Sequence, residues 1–221
     1  CNMSGKIMIV GTGNVGASIG FALVNQRTPV KEIILTDLNM ADAEGEAMDL
    51  SDALAVAPSF LRIRTGDYSE ATDCDLCIIT AGANQKPGET RTDLVQKNAQ
   101  ILRDIVRPIM ESGFDGIFLI VSNPVDILSY LTWQYSGLPA DRVIGSGTVL
   151  DSARLRFRLA RRLGVHPKSV HAYQIGEHGD SELTLWSTAT MGGERITSLL
   201  SADERQKITD SVRNEAYDII K

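Results

Sequence analysis

The side chain best suited to proton transfer belongs to His178, in the motif GEHGD at residues 176–180. Histidine has an ordinary pKa close to working pH, so it can both give and accept a proton. The nearby glycines, Gly176 and Gly179, let the backbone bend and leave the imidazole open to a ligand. A lone histidine is more often structural or solvated, so a catalytic role depends on the groups that accompany it.

Two charged residues upstream, Asp151 and Arg154, have the spacing of groups on one helix face. They fall in an arginine-rich segment, residues 150–163, which we predict to be helical. Residues three apart in a helix are neighbours. An arginine can hold a carboxylate through two parallel hydrogen bonds, which lysine cannot match. The residues alone leave two alternatives open. Asp151 could cap a helix, and Arg154 could be a solvated arginine.

A glycine-rich turn, GTGNVG at residues 11–16, follows an apolar strand-like stretch and precedes an apolar helical one. This order is typical of dinucleotide-binding folds. In such a fold Gly11 makes the tight turn, Gly13 lets the backbone approach a pyrophosphate, and Gly16 allows close packing of the helix. The amide groups of the helix N-terminus would bind the phosphates.

An acidic residue, Asp37, ends the next predicted strand. Its carboxylate would accept hydrogen bonds from a ribose 2′-hydroxyl and would repel a 2′-phosphate. The sequence therefore predicts NAD rather than NADP as the cofactor. The alternative is a glycine turn in an α/β protein that binds no nucleotide.

Apolar strand-like segments alternate with helical ones through most of the chain, which predicts an α/β fold with a doubly wound parallel sheet. We expect a Rossmann domain that binds NAD over residues 3–145 and the first part of an α+β substrate domain over residues 146–221. Ligands of such sheets bind beyond the carboxyl ends of the strands. Four residues of interest follow predicted strands: Gly16, Asp37, Gly82 and Asn123.

The composition argues against several classes of partner and site. A net charge of −6 does not favour nucleic acid or an anionic membrane. The longest purely apolar run, residues 117–121, is too short to span a bilayer, and no secretion leader opens the chain. Cys74 and Cys77 have no second pair to complete a zinc site. We therefore expect buried thiols, no metal and a cytoplasmic location.

Five motifs occur in one order along nearly the whole chain: GTGNVG, AGANQKPGETR, VSNP, LDSARLRF and GEHGD. In this combination the chain resembles the L-lactate dehydrogenases, which are close relatives of the malate dehydrogenases. The resemblance is to the bacterial type that fructose 1,6-bisphosphate activates.

The resemblance implies an NADH-dependent interconversion of pyruvate and L-lactate. His178 would act as acid and base with Asp151 as its partner, and Arg154 would hold the substrate carboxylate. Arg91 would close over the substrate and polarise its carbonyl, and Asn123 would hydrogen-bond the same oxygen. The cofactor would contact Gly11, Gly13, Val15, Gly16, Asp37, Tyr68, Gly82, Ala83, Val121, Asn123 and Ser146.

The neutral Gln85 is the residue that bears on substrate choice, because the malate relatives carry arginine at this position. An amide can face the methyl group of pyruvate but cannot neutralise the second carboxylate of oxaloacetate. The alternatives are a malate or other 2-hydroxy acid dehydrogenase, and a non-catalytic NAD-binding protein on the same fold.

Arg156 and His171 match the positions that bind fructose 1,6-bisphosphate in the allosteric relatives. Arg156 lies two residues beyond Arg154, about 200° around a helix, so the two arginines point in different directions. A subunit dyad could bring Arg156 and His171 of two chains together in a homotetramer. The alternative is that these charges serve solubility or pair with local acids.

The two ends of the sequence carry expectations of their own. Met3 has the character of a natural start, preceded by Cys1 and Asn2. Lactate dehydrogenases continue beyond the helix that ends at Lys221, so we expect the substrate domain to be truncated at its C-terminal end.

Overall fold

The computed structural model describes residues 4–83, 88 and 90–220. These residues separate between Gly145 and Ser146 into two compact units. Within the described ranges, we find no helix with the length and apolar character needed to cross a membrane.

The first unit contains a six-stranded parallel sheet. Its strands are β1 Lys6–Val10, β2 Glu32–Thr36, β3 Arg62–Thr65, β4 Leu76–Ile79, β5 Ile117–Ile120 and β6 Val143–Gly145. Its helices are α1 Asn14–Val24, α2 Met40–Ala53, α3 Arg91–Glu111 and α4 Val125–Ser136. The strands are adjacent in the order β3-β2-β1-β4-β5-β6.

Both faces of this sheet are buried, because helices cover each of them. Ile7 and Ile9 of β1 belong to a cluster with residues of α1 and α2. Met8 and Val10, which point to the opposite face, belong to a cluster with residues of α3 and α4. Strands buried on both sides read as continuous apolar runs, which is why the sequence predicted a parallel sheet. The prediction of a doubly wound Rossmann sheet is confirmed.

The strand order reverses beside β1, whose neighbours are β2 on one side and β4 on the other. The chain leaves β1, β2, β4 and β5 at the same edge of the sheet, because all these strands are parallel. Ligands of doubly wound sheets bind in the crevice at such a reversal. The fold therefore places the segments that follow these four strands at one candidate site.

The second unit combines helices with short antiparallel strands. Its helices are α5 Val149–Leu163, α6 Ile196–Leu199 and α7 Ala202–Ile220. Its strands are β7 Val170–His171, β8 Gln174–Ile175, β9 Leu183–Thr184, β10 Thr190–Met191 and β11 Glu194–Arg195. Its core includes Leu155 and Leu159 of α5 and Val212 of α7, together with Val170 and Ile196.

The stretch that leads to His178 differs from the single strand that its apolar residues suggested. It forms two short strands in different sheets, because Val170 pairs with Met191 whereas Gln174 pairs with Thr184. The change of partner turns the chain between β7 and β8. His178 thus lies in the loop of a separate hairpin, β8–β9.

Candidate active site

The glycine turn after β1 is shaped by close contacts of the backbone. Gly11 has a φ of +99°, a conformation that favours glycine. A Cβ on Gly16 would lie 1.9 Å from the Gly11 carbonyl oxygen, so only glycine fits where α1 approaches the turn. Gly13 is different, since a Cβ there would meet nothing within 4 Å. Val15, near the start of α1, is exposed.

Asp37 follows β2 and is tied to the glycine turn. The Thr12 amide donates to Asp37 Oδ2 at 2.7 Å, and the Thr12 hydroxyl donates to the same oxygen at 3.1 Å. Burial opposes ionisation, but hydrogen bonds from the amides of Thr12 and Asn39 outweigh it and lower the pKa of Asp37. An ionised acid therefore stands beside the turn.

Asn98 of α3 joins the segments that follow β4 and β5. Its Oδ1 accepts a hydrogen bond from the Ala83 amide at 2.7 Å, and its Nδ2 donates to the carbonyl oxygens of Ala83 and Asn123, each at 3.3 Å. Asn98 is 2% exposed. Asn98 could not be identified from the sequence, because these contacts join residues 15 and 25 positions apart.

The other predicted cofactor residues have varied settings. Gly82 lies in the segment that Asn98 holds, and Val121 packs against the core on the Ile7 side of the sheet. Tyr68 opens a 3₁₀ turn after β3 and packs on the Met8 side. Ser146 belongs to the second unit, where its carbonyl accepts a hydrogen bond from the Val149 amide.

Two predicted substrate residues, Gln85 and Arg91, belong to the segment that leads into α3. Gln85 lies outside the described residues. Arg91 is the first residue of α3, which Thr90 caps by accepting a hydrogen bond from the Asp93 amide at 3.1 Å. The backbone of Arg91 therefore lies at the N-terminus of α3.

In the second unit, His178 and Asp151 form a close pair. His178 Nδ1 lies 2.5 Å from Asp151 Oδ2. The side chain of Asp151, in the first turn of α5, is 4% exposed and that of His178 is 23% exposed. The structure thus brings together the two residues that the resemblance paired, although 27 positions separate them.

Arg154 lies on the same face of α5 as Asp151, as the spacing predicted. Its Nη1 is 3.3 Å from Asp151 Oδ1, and its Nε is 3.9 Å from Glu215 Oε2 of α7. Glu215 was not identified from the sequence, since its position on another helix depends on the tertiary fold. Arg154 is therefore held by two carboxylates within the second unit.

The hairpin that carries His178 is fastened to α5. The main chain of Gln174 accepts a hydrogen bond from Thr148 Oγ1 at 2.7 Å and donates one to Ser152 Oγ at 2.9 Å. At the other end of the loop, Glu182 is buried and accepts a hydrogen bond from Gln174 Nε2 at 3.0 Å. Neither Gln174 nor Glu182 was identified from the sequence.

The donor atoms of Asp151, His178 and Glu182 all lie within 4.8 Å of one another. No other group of His, Cys, Asp or Glu residues is clustered in this way within the described ranges. Hydrogen bonds within the group account for its closeness. We therefore assign no ion to it.

The two predicted effector residues lie on different elements of the second unit. Arg156 of α5 is half-buried, and its Nε is buried without a hydrogen-bond partner among the described residues. His171 of β7 is exposed.

Comparison with known proteins accounts for both units. Residues 5–145 match the family model of the lactate/malate dehydrogenase NAD-binding domain, and residues 148–221 match that of the α/β C-terminal domain. The chain belongs to the lactate/malate dehydrogenase family. Its first unit is therefore an NAD-binding domain.

Individual members of the family are similar over nearly the whole chain. L-lactate dehydrogenase 2 of Bacillus cereus is 53% identical over 98% of this chain and 70% of its own length. The ligand-bound minor L-lactate dehydrogenase of Enterococcus mundtii is 52% identical, with a TM-score of 0.93 over 97% of this chain and 70% of that one. The malate dehydrogenase of Picrophilus torridus has the same TM-score at 31% identity, over 97% of this chain and 68% of that one. The fold alone thus does not separate the two activities.

The electrostatics of the second unit suit acid–base chemistry. The hydrogen bond that His178 donates to Asp151 raises the pKa of His178, and this effect exceeds the opposing effect of burial. Burial opposes ionisation of Asp151, but the hydrogen bond and charge of His178, with the charge of Arg154, lower the pKa of Asp151. The arrangement therefore favours an ionised Asp151 beside a protonated His178.

The glycine turn offers a matched pair of substitutions that separates folding from cofactor binding. Gly16→Ala should lower the unfolding free energy by about 1–3 kcal/mol or more, because the new methyl group meets the Gly11 carbonyl. Gly13→Ala should leave the melting temperature nearly unchanged, since its Cβ has open space. It should nevertheless weaken NADH binding about tenfold, because the backbone could no longer approach the pyrophosphate.

Thermal unfolding and NADH fluorescence titration of both variants check this prediction. Equal stability of the two variants, or normal NADH affinity in Gly13→Ala, would contradict it.

Proposed function

We propose that the protein is an NAD-dependent L-lactate dehydrogenase that interconverts pyruvate and L-lactate. The observation that carries the proposal is the 2.5 Å contact between His178 and the buried Asp151. An NAD-binding domain alone could serve a protein without catalytic activity. The reduction of a 2-oxo acid requires a proton donor, and a carboxylate that stabilises a protonated imidazole supplies one. The identity of 53% to L-lactate dehydrogenases supports the same reaction.

The residues of the first unit fit NAD. The contact distance at Gly16 excludes any side chain, so α1 can begin close to a bound pyrophosphate. Asp37 is ionised and can accept hydrogen bonds from the ribose hydroxyl groups. We propose that Asn98 aligns Ala83 and Asn123 for cofactor and substrate, with Gly82, Val121, Tyr68, Val15 and Ser146 as further cofactor residues.

When bound, NADH supplies the hydride that reduces the substrate carbonyl carbon. His178 supplies the proton to the carbonyl oxygen, and the C=O bond becomes the C–OH bond of lactate. Asp151 accepts the hydrogen bond from Nδ1, which leaves the opposite ring nitrogen, Nε2, to carry the transferred proton. In lactate oxidation the neutral His178 takes the hydroxyl proton back.

We assign roles in the proposed reaction to three further side chains. Arg154, which Asp151 and Glu215 hold in place, binds the substrate carboxylate through its guanidinium group. Arg91 and Asn123 stabilise the negative charge that develops on the carbonyl oxygen. Because these groups act in the transition state, we expect their loss to lower kcat rather than only raise KM.

The proposal extends to assembly and regulation. We propose a homotetramer in the cytoplasm, with Arg156 and His171 as an anion site for fructose 1,6-bisphosphate. The buried Nε of Arg156 supports such a site, because an unpartnered donor of this kind gains a hydrogen bond from a bound anion.

His178→Ala tests the chemical role directly. It should lower pyruvate turnover by about 10²–10⁴-fold, because general acid catalysis is lost. NADH affinity should change little, since the substitution lies outside the NAD-binding domain. His166→Ala removes an exposed imidazole from the same unit and should retain full turnover. Turnover by the intact His178→Ala protein near the wild-type rate would contradict the assignment.

The pH dependence should follow the raised pKa of His178. Pyruvate reduction requires the imidazolium, so its kcat/KM should hold up to that pKa and fall above it. Lactate oxidation requires the neutral imidazole and should show the opposite trend. Steady-state rates in both directions over a pH series check this, and parallel trends in the two directions would contradict it.

Gln85→Arg should shift the preference from pyruvate towards oxaloacetate, because a guanidinium can pair with the second carboxylate. The wild type should prefer pyruvate, and Gln85→Asn, which keeps a neutral amide, should retain that preference. The measurement is kcat/KM for both substrates. A wild-type preference for oxaloacetate would instead support the malate dehydrogenase alternative.

Fructose 1,6-bisphosphate at millimolar concentration should lower the KM for pyruvate and favour the tetramer. Arg156→Gln should abolish this response while saturated turnover stays nearly unchanged. Arg161→Gln, which removes an exposed arginine from the same helix, should keep the response. No effect on wild-type kinetics or oligomer size would exclude the effector site.

A further inference from the structure

A second buried carboxyl group, that of Glu182, lies near the pair formed by His178 and Asp151. Glu182 ends the loop that carries His178 and is 3% exposed. Acidic residues are rarely this buried unless a partner compensates for the lost hydration. The proposed reaction, with His178 and Asp151 as the acid–base pair, does not by itself explain this residue.

Glu182 is held in place from two directions. Gln174 Nε2 donates to Glu182 Oε1 at 3.0 Å, and this contact is buried. Gln174 is in turn fixed to α5 through its main chain, next to Asp151. An oxygen of Glu182 lies within 4.8 Å of an oxygen of Asp151, and a hydrogen bond between the two carboxyl groups contributes to the pKa of each.

A hydrogen bond between two carboxyl groups requires a proton on one of them. Two ionised carboxylates this close in a buried setting would repel each other strongly. Asp151 is the better candidate for ionisation, because it also contacts His178 at 2.5 Å and Arg154 at 3.3 Å. Of the two, Glu182 is therefore the carboxyl group to which the proton is assigned.

The groups around Glu182 act on its pKa in both directions, and their net effect raises it. Burial raises the pKa of Glu182, and the charge of Asp151 and their hydrogen bond raise it further. The positive charges of His178 and Arg213 oppose this rise without cancelling it. Arg213, on α7, donates to the main-chain carbonyl of Glu182 at 3.2 Å. Arg154 of α5 contacts Asp151, which in turn lies near Glu182.

We propose that Glu182 is a positioning residue of the proton relay: its neutral carboxyl group donates a hydrogen bond to Asp151 and holds that carboxylate against Nδ1 of His178. Asp151 then accepts hydrogen bonds from His178, Arg154 and Glu182, and its orientation is determined by all three. The donated hydrogen bond also withdraws charge from Asp151, so it moderates how strongly Asp151 stabilises the imidazolium.

The inference rests on the proposed function, since it concerns the residue that aligns its acid–base pair. Replacement of Glu182 by glutamine keeps both hydrogen bonds, because the amide can donate to Asp151 and accept from Gln174. Replacement by methionine keeps the length of the side chain and removes both hydrogen bonds. The two variants therefore differ in the feature that the proposal invokes.

The experiment measures kcat/KM for pyruvate over a pH series in the intact wild-type enzyme and both variants. Glu182→Met should lower kcat/KM about tenfold, the size expected for loss of a hydrogen bond to a charged group. It should also raise the apparent pKa of His178 by about half a unit, because Asp151 loses a competing donor. Glu182→Gln should restore the wild-type pH dependence and most of the lost activity.

Two results with the Glu182 variants would overturn the proposal. An unchanged or lowered pKa in Glu182→Met would make Glu182 merely structural. A lowered pKa in Glu182→Gln would show that Glu182 is ionised in the wild type, since the substitution then removes a negative charge. Glu194→Met, the same change at an exposed carboxylate, should leave activity and pH profile unaltered. Absence of pyruvate turnover in the wild type would overturn the proposed function instead.

A spectroscopic measurement decides the matter if Glu182→Met does not fold. The infrared difference spectrum between wild type and Glu182→Gln near neutral pH should contain the C=O stretch of a neutral carboxylic acid. Its absence, with only carboxylate bands lost, would overturn the proposal.

Discussion

The hydrogen bond between Asp151 and His178 is the interaction on which the proposed chemistry depends. Asp151 is almost wholly buried, and burial alone would favour its neutral form. The nearby cations of Arg154 and protonated His178 keep it ionised. The ionised carboxylate in turn raises the pKa of the imidazole. Each charge of the pair is thus stable in the folded protein because the other is present.

The local fold of the second unit serves to hold this pair. The first turn of α5 carries Asp151, and the β8–β9 hairpin carries His178. Thr148 donates a hydrogen bond to the main-chain carbonyl of Gln174, and the Gln174 amide donates one to Ser152; these two bonds fasten the hairpin to the helix. In the first unit, the parallel strands place the glycine turn, Asp37 and Asn123 at one edge of a sheet. In each unit, hydrogen bonds between elements distant in sequence therefore determine where the candidate site residues lie.

Features that depend on local spacing could be predicted from the sequence. The apolar runs predicted the parallel sheet, and the three-residue spacing placed Asp151 and Arg154 on one helix face. The pairing of Asp151 with His178 came only from the resemblance. Asn98, Gln174, Glu182 and Glu215 could not be identified, because each acts through a contact with a residue that only the tertiary fold brings near. The change of sheet between β7 and β8 was missed for the same reason, since it depends on which strands are available as partners.

The most direct test of the central claim is an NMR titration of His178 in the intact protein. The chain contains three histidines, so removal of His166 and His171 in turn assigns the resonances. His178 should titrate at a higher pH than an ordinary histidine, and Asp151→Asn should lower this pKa by about a unit or more. A His178 pKa at or below the ordinary value, or one that Asp151→Asn leaves unchanged, would contradict it.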